Sequence, residues 1–349
     1  MSRRLLIGIG ALTGVAVLLA QAPAAGQQAA AGATKGTSAA ATANWTPART
    51  SWGHPDLQGV YTFSTQTPLE RPTTVAARAA YTEAERAELE EQAARQRESR
   101  ETAAIDPNRP PGGYNGFWTA GEQGRLTGRT SLIVDPQDGR RPPLTPLAQK
   151  MRDERLAAAA ARRIGEDTLY NTWEDHPMYT RCVARPMPRI GQAYNHGVMI
   201  LQTPTSVAIF YESMHDVRII PLDGRPHLHS SIRQWNGDAR GRWEGNTLVV
   251  DWTNFTEKQE FAGARQGNMR FTERFTKVDA NTINYEVTVT DPATWTRPWT
   301  FIAPWRADDP NYQKPEDLYE YACHEGNYRM MENSLKGSRA LKRAQAGKK

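Results

Sequence analysis

RWEGNTLVVDWT, residues 242–253, reads as two short strands around a tight turn. Gly245-Asn246 is a two-residue hairpin signal, and alternation sends Leu248, Val250 and Trp252 to one face and Val249, Asp251 and Thr253 to the other. The same period-two pattern extends both ways. Upstream, Gly197–Gln202 and Ser206–Glu212 flank a tight turn at Pro204; Asp216–Ile220 follows, then a turn at Gly224. Downstream, Arg270–Lys277 and Thr282–Thr290 flank Asp279-Ala280-Asn281, and Thr296–Trp305 and Leu318–Cys323 complete the series. This run of consecutive strands with no helical pattern between them predicts a mainly β fold. Its expected form is an antiparallel barrel, lipocalin-like or calycin-like, with a sandwich as the alternative.

The segments before the barrel differ. Leu57–Ser64 reads as a first strand and Thr130–Val134 as a short one. Thr82 to about Ala104 reads as a surface helix, opened by a Thr82/Glu85 capping box. Residues 105–116 read as a loop, and Pro146 opens a second helix that runs to about Arg163. The expected organisation is a signal peptide over residues 1–24, a flexible Ala/Gly-rich spacer over 25–48, one β-rich domain with its helical segments over 49–335, and a basic disordered tail over 336–349.

The signal reading rests on Arg3-Arg4, the apolar run Leu5–Leu19 and the small residues of Ala22-Pro23-Ala24. The run is shorter than the roughly 20 residues of a spanning helix, so no stable membrane span is expected after cleavage. Periplasmic or secreted localisation follows, by an ordinary or a twin-arginine route. Hydrophobic residues make up 39% and charged residues 23% of the 349, which excludes a multispan membrane protein and a wholly disordered chain. The net charge of +5 is misleading. Without Arg3, Arg4 and the tail residues Lys336, Arg339, Lys342, Arg343, Lys348 and Lys349, the body is net negative. No nucleic-acid partner is expected.

Export permits disulfides. Cys182 and Cys323 are the two cysteines, read as one bridge or as two thiols of which one is catalytic. A bridge would close a loop of about 140 residues, nominally about 4–5 kcal/mol.

Strand faces single out candidate site residues. Glu273 points with Phe271 and Phe275. A carboxylate on an apolar face is either paired, to an ion or a neighbouring Tyr or Trp, or tuned as a general acid. His215 shares a face with Val217 and Ile219, as a core histidine or as a base. Glu273 and His215 are the expected catalytic pair. Arg218 and Arg225 are candidates to bind an anionic group, with Trp235, Trp299, Asp291, His324 and Glu325 at a cavity rim. Asp291 has a turn-capping role as its alternative. His227-Leu228-His229 is the one candidate metal site; otherwise no cofactor is expected. The sequence has no GxSxG elbow, no phosphate-binding GxxxxGK[ST] loop and no GxGxxG opening a helix.

Several longer runs have a wider echo. They are WGHPDLQG (52–59), TPLERP (67–72), RIIPLDGRP (218–226), GRWEGNTLVV (241–250) and DPATWTRPW (291–299). Together they resemble a large family of uncharacterised exported bacterial proteins, over residues 50 to about 335. The resemblance implies export and a single unit, and it brings no catalytic residue. Asn246 stands where such proteins carry an acidic turn residue. Two functional expectations follow. One is a cofactor-free acid–base enzyme of lyase, isomerase or hydrolase type, acting on a small, partly apolar molecule. The other is a lipocalin-like carrier of such a molecule, without chemistry.

Overall fold

The computed structural model describes residues 45–347, apart from 76–77, 103–123, 166, 192–194 and 310. The expected signal peptide, most of the spacer, the 105–116 loop, and Lys348 and Lys349 lie outside these residues.

The strands, in chain order, are β1 (Gly59–Thr62), β2 (Ile133–Asp135), β3 (Arg163–Ile164), β4 (Asp167–Thr168), β5 (Gly197–Gln202), β6 (Ser206–Tyr211) and β7 (Asp216–Pro221). There follow β8 (Asp238–Glu244), β9 (Thr247–Thr253), β10 (Glu260–Phe261), β11 (Ala264–Arg265), β12 (Arg270–Lys277), β13 (Thr282–Thr290) and β14 (Trp299–Arg306). The helices are α1 (Glu83–Thr102), α2 (Pro146–Ala161) and α3 (Cys323–Ala346). One antiparallel sheet runs β7-β6-β5-β1-β14-β13-β12-β9-β8, with β2 on β14. The β3–β4 and β10–β11 pairs form separate two-stranded ladders.

Hairpin chemistry sets most of this order. Glu244 pairs with Thr247 around Gly245-Asn246, and Lys277 pairs with Ile283 beyond the 279–281 turn. The Thr82/Glu85 capping box opens α1: Thr82 N donates to Glu85 Oε2 at 2.9 Å, and Glu85 N to Thr82 Oγ1 at 3.2 Å. Pro146 starts α2 behind the N-cap Thr145.

The sheet coils. Its two end strands, β7 and β8, approach each other, for a Cβ on Gly241 would lie 2.7 Å from both Ile220 Cγ2 and Leu222 Cδ2. Among the described residues no ladder joins them, so the closed barrel expected from the sequence is not formed by hydrogen bonds. The inner faces meet in one apolar core. Phe271, Phe275, Tyr285, Trp252, Trp299 and Trp305 are all buried there, each contributing about 1.5–3 kcal/mol by leaving water. Aromatic side chains fill the coil. The Trp305 ring lies 4.9 Å from Tyr285 and 5.3 Å from Phe275, centroid to centroid.

Two sequence expectations are corrected at the C-terminus. Leu318–Cys323 is not a strand, because Asp317 Oδ2 accepts from the backbones of Gln313 and Lys314 and turns the chain before Leu318. The expected disordered tail is helical as far as Ala346, the end of α3. Cys182 and Cys323 form a disulfide that ties the start of α3 to the segment before β5. Ser338 is buried and its Oγ accepts from Tyr170 N at 2.9 Å. No helix among the described residues is long and apolar enough to cross a membrane.

Candidate functional site

Alternation places Glu273 of β12 inside the coil, where it is fully buried between Phe271 and Phe275. Its partners come from distant strands. Arg218 of β7 sits 2.8 Å from Oε2 and donates to Oε1 at 3.0 Å, and Tyr285 of β13 donates to the same Oε1. Arg218 also lies 4.2 Å above the Trp252 ring. Burial works to lower the Arg218 pKa, but the Glu273 carboxylate more than reverses this and raises it. Burial, reinforced by Glu273, pushes the Tyr285 hydroxyl well above its ordinary value. At neutral pH the cluster therefore holds a charged arginine and a protonated phenol.

The structure separates the expected catalytic pair. His215, Val217 and Ile219 do share a face, but it is the outer one; Val217 is 52% and Ile219 55% exposed. His215 is exposed, with Nε2 3.3 Å from the Tyr319 carbonyl. The inward face of β7 carries Asp216, Arg218 and Ile220, opposite Tyr211, Ile209 and Val207 of β6. No acid–base couple of Glu273 with His215 is assembled.

The remaining candidates scatter. Arg225 is exposed and held by Asp223, with Nε 2.7 Å from Oδ2. Trp235 is half-buried and its carbonyl accepts from Gln259. Asp291 caps its turn, accepting from Ala293 N at 3.0 Å and Thr294 Oγ1 at 2.6 Å. His324 and Glu325 are exposed in the first turn of α3. Trp299 is buried and stacks on Phe261 at 6.1 Å between centroids. His227 Nδ1 lies 2.8 Å from Asp238 Oδ2, and His229 Nδ1 lies 2.8 Å from Ser231 Oγ. Among the described residues no three His, Cys, Asp or Glu side chains gather as metal ligands.

A cleft of about 460 Å³ lies where three chain segments converge. They are residues 65–69, residues 185–191 and the β10–β11 hairpin, with Leu132 between them. Leu69, Leu132, Ile190 and Phe261 give it apolar walls; Arg185 and Arg189 are its charged residues. Arg141 braces the hairpin wall, bonding the Ala262 carbonyl while Glu70 holds its Nε at 3.0 Å.

Arg189 connects this cleft to the interior. It is 3% exposed, donates Nη1 to the Ser213 carbonyl at 2.5 Å and Nη2 to Asp216, and lies 4.5 Å over the Tyr211 ring. Burial lowers its pKa to about 10, against the pull of Asp216. Its buried Nε has no hydrogen-bond partner among the described residues. Sequence reasoning missed Arg189 and the cleft. The available signal was Arg185-Pro186-Met187-Pro188-Arg189, two arginines on a proline-stiffened turn ahead of β5.

No family model, curated protein or solved structure matches the chain.

Proposed function

We propose that the protein is an exported binding protein that holds a small, partly apolar molecule in the cleft between residues 65–69, residues 185–191 and the β10–β11 hairpin. The coiled sheet then serves as a lipocalin-like scaffold whose inner faces pack an aromatic-rich core and whose binding surface lies on its connections. The observation that carries this reading is the cleft itself. Its volume of about 460 Å³ falls in the range of roughly 300–1,000 Å³ typical of small-molecule sites. Leu69, Leu132, Ile190 and Phe261 give it apolar surface, beside the polar side chains of Thr65, Gln66, Thr67, Arg185 and Arg189. Cys182–Cys323 and the apolar segment Leu5–Leu19 support export. The acid–base alternative has no comparable support, because Glu273 is sealed in the core and His215 lies on the outer face.

Native mass spectrometry tests this proposal. The disulfide-intact protein is incubated with a panel of small aromatic and aliphatic compounds, beside Leu69→Trp, which fills the cleft from its half-buried wall. One-to-one adducts that Leu69→Trp loses are the expected result. Adducts retained by the variant, or none from the whole panel, would overturn the reading.

A further inference from the structure

We infer that His227, on the loop between β7 and β8, is a general base for the hydrolysis of an uncharged ester, with Asp238 as its positioning residue. His227 Nδ1 lies 2.8 Å from Asp238 Oδ2, and its ring is 31% exposed. Neither residue lines the cleft, so this activity stands apart from the proposed binding role.

The loop is exposed, yet buried side chains hold it from below. Asp238 is buried at the start of β8, where its carboxylate accepts from Leu228 N at 3.0 Å and from Arg240 Nη1 at 2.6 Å. Asn254 is buried as well, and its amide donates to the carbonyls of Leu228 and His229. Arg240 Nε donates to the Pro226 carbonyl at 3.0 Å. Burial works to raise the Asp238 pKa, but Leu228 N, His227 and Arg240 more than reverse this and lower it. Asp238 is therefore an ionised acceptor, and the neutral His227 ring carries its proton on Nδ1. The lone pair is left on Nε2, which makes no hydrogen bond among the described residues and is not one of the sealed, unpartnered atoms. His229 has the opposite tautomer. Its Nδ1 accepts from Ser231 N at 3.3 Å, so its neutral ring turns an N–H outward from Nε2. Of these two imidazoles, only His227 offers solvent a basic nitrogen.

A held base that faces water has water as its nucleophile. As the water oxygen bonds to the acyl carbon, Nε2 takes one of its protons. The acyl C–O bond then breaks, and Nε2 returns that proton to the departing alkoxide, giving an acid and an alcohol. Leu228 and Ile232, 40% and 48% exposed on the same loop, suit the uncharged body of the substrate. General-base transfer contributes roughly 10²–10⁴-fold, enough for an activated ester.

Turnover of 4-nitrophenyl butyrate by the disulfide-intact full chain at pH 7.5 tests the inference. His227→Gln should lose at least about tenfold of the protein-dependent rate, and His229→Gln should keep it. Asp238→Asn should lower kcat with KM unchanged, and imidazole ¹⁵N spectra should show His227 losing its Nδ1–H form. No turnover by the parent, or equal losses in the two histidine variants, overturns the inference. Carbethoxylation of the native parent by diethyl pyrocarbonate needs no variant to fold. Peptide masses should show His227 modified faster than His229, and the reverse order or equal rates would also overturn it.

Discussion

Glu273 shows how much one residue's environment says about its role. The sequence places it between two phenylalanines, and its alternatives there were a general acid or a paired carboxylate. The structure adds Arg218 and Tyr285, both buried, and so favours pairing. Removing only the carboxylate charge leaves the arginine stranded in the core. Glu273→Gln should therefore destabilise the fold by about 3–5 kcal/mol in urea unfolding at pH 7, and adding Arg218→Met should recover most of that loss. A single variant as stable as the parent would show that the pair is not buried. Alternation made Glu273 legible because Phe271 and Phe275 mark their face as inner. The same rule misplaced His215. Val217 and Ile219 are apolar yet point outward, and only the register of β7 against Tyr211, Ile209 and Val207 shows that Arg218 is the inward residue. Alternation sorts residues into two sets, and pairing decides which set is inside.

At the scale of elements, α3 acts as a latch on the segment that builds the cleft wall. Its first residue is bonded to Cys182, three positions before Arg185. Farther along, Ser334 Oγ lies 3.0 Å from His176 Nε2, and the His176 ring stacks on Tyr170 at 4.1 Å. Replacing both cysteines with serine should cost about 2–5 kcal/mol. Amide exchange should rise first in residues 170–191 and α3, ahead of the sheet; uniform acceleration across β12 and β13 would rule out a local latch. A pH effect belongs to the same element. Burial holds the His176 imidazole below its ordinary value of 6.5, although Asp175 opposes this. Folding therefore disfavours protonation here. The contribution is complete above about pH 6.5 and is lost as pH falls through the lower folded value. Between pH 7.5 and 5.0 the unfolding midpoint should fall more steeply for the parent than for His176→Gln, and equal slopes would remove His176 from the latch. The sequence hides this helix behind its charges: Lys336, Arg339, Lys342 and Arg343 suggest a solvated tail, although Ala340, Leu341, Ala344 and Gln345 beside them are good helix formers. Its packed face, Met331, Ser334, Leu335, Ser338 and Leu341, mixes apolar residues with two serines; of these Ser338 is buried and the others are half-buried.

For the molecule as a whole, local pairing was legible and distant pairing was not. The hairpins β8–β9 and β12–β13 follow from turn residues between alternating strands. The insertion of β1 between β5 and β14 does not, because Tyr61 meets Val198 and Thr62 meets Arg306 across long stretches of chain that no turn signal spans. The same limit applies to the seam where the coil nearly closes. β7 and β8 carry no ladder there, so side chains must hold the two ends together. Gly241 makes that approach possible: its missing Cβ leaves room for Ile220 and Leu222, and any added atom meets both at 2.7 Å. Leu222 can swing its terminal methyl aside, whereas Ile220 is branched at Cβ and stiff. Gly241→Val must therefore push β7 from β8, at a cost of about 1–3 kcal/mol in urea unfolding. Amide exchange should quicken in β7 and β8 while β12 and β13 stay protected, because the strain falls on the seam and not on the paired ladders. If β12 and β13 lost protection equally, the seam would be part of one closed cooperative barrel. Protection unchanged in all four strands would mean that the two ends do not touch in solution.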